Sequence, residues 1–171
     1  MDEPRHADAE GMLTATGGRV AGFTYGTLVA LSMVVAGAKL YPDDAGFIGA
    51  FVLLTTVALW LAHVYAHTIG QSVSHRRRVS LAELERIARR EGAIVEAALP
   101  PVGALLLGAV GLISTEVAVW AAFGLGLAVL AVQGVQYARI ERLGPLRTVV
   151  AVAVNVGVGL VLVAAKLVLT H

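Results

Sequence analysis

Five long apolar runs divide this chain, and they constrain its fold more than any other feature of the sequence. They cover approximately residues 20–39, 47–69, 94–113, 117–137 and 148–169. A run of about 20 residues with few charges matches, as an α-helix, the ~30 Å thickness of the hydrocarbon core of a bilayer. A soluble domain of 171 residues would not need five such runs. The sequence therefore predicts an all-α integral membrane protein with five transmembrane helices packed as a bundle.

Composition supports this interpretation and excludes several other classes of protein. The chain is 57% hydrophobic, which is well above the usual share in a soluble domain. Its net charge of +1 provides no basic field for nucleic acid. The absence of cysteine excludes disulfides, thiolate metal sites and thiol catalysis.

Arginine placement predicts which way these helices face. All eleven arginines precede the first run, lie between the second and third, or lie between the fourth and fifth. With five spans these three segments share one compartment, and basic residues near span ends are retained in the cytosol. We therefore expect a multi-pass protein of a bacterial cytoplasmic membrane, with a cytosolic N-terminus and an extracytoplasmic C-terminus. Arg76, Arg77 and Arg78 are interpreted as a topology anchor that contacts anionic lipid headgroups.

The segments outside the membrane are predicted to be short. Residues 1–18 are polar and small, which predicts a flexible or loosely helical cytosolic tail, and residues 19–171 form the transmembrane domain. Within residues 79–92, Ser80 and Glu83 fit a capping box, and apolar residues follow at helical spacing. This pattern predicts a short amphipathic helix that either lies on the inner leaflet or extends the third span into the cytosol.

His63 and His67 in the second run are the first candidates for a chemical role. They stand one helical turn apart on one face, a spacing that can place both imidazoles on one metal ion or in one proton relay. Glu96, at a similar predicted depth in the third run, is the carboxylate that would complete either arrangement. The competing interpretation is that the histidines only form hydrogen bonds between packed helices. The sequence leaves structural packing, a proton or ion path and a transition-metal site all open.

Other polar and small residues mark the helix faces that pack inward, because a polar side chain in hydrocarbon is costly. At about 100° per residue, each of the last four runs contains such a stripe. The stripes are Gly49, Thr56, His63 and His67; Glu96, Pro100, Gly103 and Leu107; Ala122, Gly126, Gln133 and Tyr137; and Thr148, Ala151, Asn155, Gly159 and Lys166. Four of these residues are predicted either to line a polar path or to pack between helices: Thr56, Gln133, Asn155 and Lys166.

Pro100 and Pro101 leave the start of the third span open. Neither has an N–H group, so the carbonyls of Glu96 and Ala97 lose a helical partner and the helix bends or loosens there. One alternative is a span that begins at Ile94 and carries Glu96 inside the membrane, beside freed carbonyls that can line an ion site. The other is a span that begins at Pro100, since proline is tolerated in a first helical turn, with Glu96 at headgroup level.

Gly18, Gly22 and Gly26 form a GxxxGxxxG series at the start of the first run. Small residues at this spacing let helix backbones approach closely in a membrane. The series therefore predicts a tight helix–helix contact, and it leaves open whether the partner helix belongs to the same chain or to a second copy.

No complete set of catalytic residues accompanies these features. The chain has no phosphate-binding Gly-Lys-Ser/Thr loop, and Val64 follows His63 where a zinc protease needs glutamate. The sequence therefore favours a non-enzymatic packing, interaction or assembly protein without a cofactor, whose partners are membrane lipids and, if it is oligomeric, further copies of itself. The first alternative is a small oligomeric conductor of protons, ions or solutes that uses His63, His67 and Glu96. The second is an intramembrane site for a transition metal.

Overall fold

The computed structural model describes residues 3–75 and 78–169, with side chains from residue 17 onward except those of residues 75, 162, 165–167 and 169. All regular elements in this part of the chain are α-helices, which confirms the all-α part of the predicted fold class. The helices are α1 (Glu3–Leu40), α2 (Ala45–His75), α3 (Leu81–Glu91), α4 (Ala93–Glu96), α5 (Leu99–Ala109), α6 (Thr115–Ile140) and α7 (Pro145–Leu169). Helix α1 thus includes most of the segment that the sequence predicts to be a flexible or loosely helical tail.

Three helices are long and apolar enough to cross a membrane, and a fourth crossing is added if one bent pair of segments counts as a single span. The three are Gly17–Leu40 in α1, Ala45–Ser74 in α2 and Thr115–Ile140, which is α6. The bent pair consists of Leu81–Glu96 and Leu99–Ala109, at 52° to each other. In α7, Pro145–Val161 is a shorter apolar helix. The described residues therefore support three or four spans, where the sequence predicts five.

One end of the bundle, called here the turn end, contains the short turns at residues 41–44 and 110–114. The hydroxyl of Thr115 donates to the carbonyl oxygen of Asp43 at 3.3 Å, so the two turns are in contact. Gly111 has a φ of +76°, a left-handed conformation that glycine adopts without strain. This glycine lets the chain reverse between α5 and α6.

The opposite end, called here the arginine end, contains residues 78–92 and 139–147. The Arg19 guanidinium lies 2.8 Å from a carboxylate oxygen of Glu96, and Arg147 lines a cleft together with Val20. These contacts bring the start of the first apolar run beside both arginine-rich connections. The described arginines are therefore gathered at one end of the molecule, as their placement in the sequence predicts.

The core in the half of the bundle nearer the turn end is apolar. It consists of buried residues from α1, α2, α5 and α6, with one from the α4–α5 junction: Ala30, Val34, Ala45, Ile48, Val52, Ala98, Val102, Ala104, Leu105, Ala118 and Ala122. The helices approach closely here, since a Cβ on Gly108 would lie 2.7 Å from the Cβ of Ala118. Thr27 and Thr56 are fully buried, but their hydroxyls donate to carbonyls of their own helices at 2.9 and 3.0 Å. This half therefore contains no polar channel among the described residues.

The third apolar run is broken, and its helix α5 begins at Leu99 with both prolines in its first turn. This matches the alternative in which the third span starts at the prolines. The inward stripe predicted for this run is wrong, because the face that it shares with Glu96 points away from the core. Gly103 and Leu107 are exposed, and the buried face is formed instead by Pro101, Val102, Ala104 and Leu105.

Candidate functional site

His63 and His67 lie on α2 near the arginine end. Nδ1 of His63 is 3.0 Å from the carbonyl oxygen of Leu59, one turn earlier on the same helix. When Nδ1 carries the proton this contact is a hydrogen bond, and Nε2 is then an acceptor. The His63 ring also packs against the ring of Tyr25 on α1, with centroids 5.5 Å apart. His63 is therefore fixed both by its own backbone and by α1.

The carboxylate beside His67 is Glu91, not Glu96. Nε2 of His67 lies 3.6 Å from Oε1 of Glu91, whose side chain is only 11% exposed. Glu91 is the last residue of α3, and the contacts of α3 and α4 with α2 hold it there. We call α3 and α4 together the α3–α4 elbow, because they are bent by 52° from α5. Depth along a continuous helix predicts Glu96 for this position, but the bend at the prolines directs Glu96 elsewhere.

Glu96 pairs with Arg19 on α1, with 2.8 Å between Oε2 and Nη2. Both side chains remain about half exposed, at 45% and 60%, so this ion pair contributes only about 0–1 kcal/mol to stability. Its main effect is to neutralise both charges at the surface of the bundle. Glu96 is therefore not available as a partner for the two histidines.

A cavity of about 270 Å³ lies between α1, α2 and the α3–α4 elbow. Its polar lining comes from three helices: Tyr25, His63, His67, Arg90 and Glu91. Small residues of α1, Gly18 and Gly22 among them, form the opposite wall. We call this space the histidine cavity. Its phenol, imidazoles and carboxylate are groups that can exchange protons with one another or with water.

The predicted metal site is not assembled. Among the side chains that the structure describes, no three His, Asp or Glu residues form a group that could hold a metal ion. A protein metal site usually requires at least three protein ligands. The set of His63, His67 and Glu96 fails because its carboxylate belongs to the pair with Arg19.

The glycine series of α1 packs against the same elbow. A Cβ on Gly26 would lie 2.5 Å from the carbonyl oxygen of Ile94 and 2.8 Å from its Cα, so a larger residue requires the backbone of α4 to move. At Gly22 the nearest α4 atom would lie at 3.7 Å, an ordinary contact, and at Gly18 an added Cβ would strike the guanidinium of Arg90. The partner surface for this series is thus the elbow of the same chain.

The amphipathic helix α3 docks on α1 and α2. Its predicted capping box is confirmed, since the Glu83 N–H donates to the Ser80 hydroxyl at 3.3 Å and the Ser80 N–H donates to the Glu83 carboxylate at 2.9 Å. On the docked face, the indole N–H of Trp60 donates to the carbonyl oxygen of Ala88 at 2.9 Å, and Ile87 is buried. This face forms one wall of the histidine cavity.

Four residues of this site were not singled out by any sequence pattern: Tyr25, Trp60, Arg90 and Glu91. Their contacts cross between helices, and the Trp60–Ala88 bond joins residues 28 apart. A local signal existed only for Glu91. It stands one turn after Ile87, so it continues the apolar face by which α3 docks.

Gln133 on α6 is the one residue in the described part of the chain with a buried side-chain oxygen that has no hydrogen-bond partner. The residue is 7% exposed and lies between two open clefts of about 600 and 650 Å³. The first cleft, between α1, α6 and α7, also has polar residues from the last two helices: Tyr137, Arg147 and Asn155. The second contains the Arg19–Glu96 pair. An unpaired buried amide oxygen lowers the stability of the folded protein by about 1–3 kcal/mol.

The remaining predicted residues are dispersed. Thr56 is buried in the core and bonded to its own helix, so it lines no cleft. Arg78 is exposed at the arginine end, whereas Arg76 and Arg77 lie outside the described residues. Lys166 belongs to α7, but its side chain lies outside the description.

Comparison of this chain with protein-family models, with curated proteins and with solved structures finds no match.

Proposed function

We propose that this chain is a five-span protein of a bacterial cytoplasmic membrane, with the arginine end in the cytosol and the C-terminus outside. The charge difference between the two ends supports this orientation, because basic residues near span ends are retained in the cytosol. The packing of α7 supports the fifth span. A Cβ on Gly134 of α6 would lie 2.7 Å from the Cα of Val152, so α7 packs directly on a helix that is long enough to cross a membrane.

The proposed activity is interaction with lipids or other membrane components, without catalysis or conduction. One observation carries this proposal, namely the contrast between the two halves of the bundle. The half nearer the turn end has an apolar core and a mainly apolar cleft of about 760 Å³, and its two buried threonines are bonded to their own helices. The arginine end contains the histidine cavity and the two clefts beside Gln133. Such a molecule offers polar groups to partners on one side of the membrane.

Helix α3 is the proposed contact with the inner leaflet. Its outward surface combines apolar and basic side chains, since Leu81 is 84% exposed and Leu84, Arg86 and Arg89 are exposed as well. Apolar groups of an amphipathic helix insert at the headgroup boundary, while basic groups attract anionic lipid. The contacts of Trp60 and Glu91 hold the opposite face against the bundle, so the outward surface lies where a leaflet would be.

A second candidate function is proton transfer, and the histidine cavity is the observation that favours it. His67 and Glu91 are within 3.6 Å, and His63 contacts the Tyr25 ring, so four titratable groups lie together. Transfer across the membrane would also require a hydrated route through the half nearer the turn end. The packing of that half is the reason to place this function second.

Cysteine labelling tests the topology, because the chain has no cysteine of its own. Single cysteines at Asp43 and Ser114 should react with an impermeant maleimide in intact spheroplasts. Cysteines at Arg78 and Glu141 should react only after permeabilisation. A cysteine appended after His171 should be labelled from outside. Protection of that last cysteine would reduce the protein to four spans, and the reverse pattern at the other four positions would overturn the orientation.

Proton flux into proteoliposomes tests interaction against conduction. With an imposed potential, we expect vesicles with the purified wild-type chain to acidify no faster than empty vesicles. The second candidate would be established by a specific pattern of proton flux. The wild type and Thr68→Val would conduct protons, and a variant with His63→Ala and His67→Ala would not. Thr68 is a matched control because its hydroxyl donates to Val64 of its own helix and it does not line the histidine cavity.

A further inference from the structure

The cleft of about 600 Å³ between α1, α6 and α7 has the construction of a ligand site. Its volume lies in the range of roughly 300–1,000 Å³ that is usual for pockets that hold small molecules. Most of its lining is aliphatic, including Val20, Leu146, Val150 and Val154. Polar side chains stand on α6 and α7 within this apolar surface. A molecule that fits here is therefore mainly apolar, with a few polar groups at fixed positions.

Gln133 indicates the chemistry of one polar group of the ligand. Its Oε1 is buried and has no partner among the described residues, and an amide oxygen accepts hydrogen bonds and donates none. A rotation of the Gln133 side-chain amide, which lines this cleft, would bring Oε1 to the cleft surface, where it would accept from a donor such as a hydroxyl. The adjacent Gly134 lies against Val152 of α7, so Gln133 is about 9 Å further into the bundle than Arg147, at 1.5 Å rise per residue.

Arg147 indicates the chemistry of a second polar group of the ligand. It is exposed at the mouth of the cleft, and no carboxylate of the described ranges pairs with it. The neighbouring cleft differs in this respect, because its arginine, Arg19, is neutralised by Glu96 at 2.8 Å. The first cleft therefore attracts an anion at its mouth, and guanidinium groups bind phosphate and carboxylate well. An ester carbonyl of a two-chain phospholipid could accept from the amide N–H of Gln133 but would leave Oε1 unpaired, so such a lipid fits less well than one with a free hydroxyl.

We propose that this cleft binds a single-chain amphiphile whose anionic head contacts Arg147, whose adjacent hydroxyl donates to Oε1 of Gln133, and whose chain lies along Val150 and Val154. A lysophosphatidate and a 3-hydroxy fatty acid share this chemistry. The proposal rests on the topology proposed above, because it requires α7 to lie in the membrane with Arg147 on the cytosolic side. Binding to the purified chain and cysteine labelling are separate measurements, so the site and the topology can fail independently.

Native mass spectrometry of the full-length chain tests the proposal with four probes. These are 1-palmitoyl lysophosphatidate, its analogue without the sn-2 hydroxyl, 3-hydroxypalmitate and palmitate. For the wild type we expect the hydroxylated member of at least one pair to bind about 5- to 10-fold more tightly, the effect of one hydrogen bond. The pair that binds identifies phosphate or carboxylate as the natural head. Gln133→Leu should abolish the preference for the hydroxyl, and Arg147→Gln should weaken all anionic probes by about 10-fold.

Gln136→Leu is the matched control, since Gln136 is the same residue type on the same helix but lines only the neighbouring cleft. It should bind all four probes as the wild type does. The comparison of hydroxylated with deoxy probes uses the wild type alone. It therefore still tests the proposal if one of the variants fails to fold. Equal affinity of the wild type for both members of both pairs would overturn the proposal, as would an equal loss of binding in Gln133→Leu and Gln136→Leu.

Discussion

Substitution of Gly26 by alanine should loosen the contact between α1 and the α3–α4 elbow. The added Cβ would lie 2.5 Å from the carbonyl oxygen of Ile94 and 2.8 Å from its Cα. Both are backbone atoms, so no side-chain rotation can relieve the overlap. Gly22 is the matched control on the same face, one turn earlier, where the nearest atom of the elbow would be 3.7 Å away.

The size of the effect follows from two opposing terms. Overpacking of a well-packed contact costs about 1–3 kcal/mol. Replacement of a helical glycine by alanine returns up to about 1 kcal/mol through helix propensity. Gly26→Ala should therefore reduce the free energy of unfolding by about 1–2 kcal/mol, which lowers the melting temperature of a chain this size by roughly 2–8 °C. Gly22→Ala carries only the favourable term, so its melting temperature should be unchanged or slightly higher.

Thermal unfolding in a mild detergent, followed by tryptophan emission, measures both variants. Trp60 contacts α3 directly through its bond to Ala88, so its emission reports on the elbow. The size-exclusion profile before heating shows whether each variant is folded at the start. If Gly26→Ala melts at the same temperature as Gly22→Ala, the close approach of α1 to Ile94 does not hold the elbow, and the packing argument fails.

Three further changes test the supports of the elbow and the turn end. Trp60→Phe removes the bond to Ala88 and should increase hydrogen exchange in α3 by about 5- to 10-fold, with little change in α6, since one hydrogen bond is worth about 1 kcal/mol. Ser80→Ala removes the capping box with Glu83 and should destabilise α3 by about 1 kcal/mol, seen as faster exchange in its first turn only. Gly111→Ala forces a side chain into a φ of +76° and should lower the melting temperature by roughly 2–8 °C, because left-handed strain costs about 1–2 kcal/mol.

Local patterns in the sequence were sufficient to predict the helices and to predict that α3 is amphipathic. The apolar runs predict helices that the structure contains, and the Ser80–Glu83 pair predicts the start of α3 correctly. The stripe on the fourth run is also largely correct, since Gly126 and Gln133 are buried in α6. These features depend on residues within a few turns of one another, and the helical period relates such residues directly.

The candidate site depends on the bend before α5, which the sequence located but could not orient. A proline shows where a helix loses its hydrogen bonds, but the direction of the resulting 52° bend is set by the surfaces that the two segments meet. Here the elbow fits against Gly26, so Glu91 faces His67 and Glu96 faces Arg19. The sequence supplied the position of each glutamate along the run, which does not specify the neighbouring helix that its side chain faces.

Water would have to enter the half nearer the turn end before any ion could cross, and the packing there resists this. A Cβ on Gly126 would lie 2.5 Å from a methyl group of Leu31, and Gly108 allows only alanine methyl groups beside it. Between α1, α2, α5 and α6, helices packed at such distances leave no space for water. The cleft of about 760 Å³ between α1, α6 and α7 in this half has a mainly apolar lining, with few polar groups to hold solvent. The apolar core therefore separates the polar groups at the arginine end from the turn end. On the proposed topology, a ligand that pairs with Gln133 enters and leaves on the cytosolic side, which is the behaviour of a binding protein and not of a conductor.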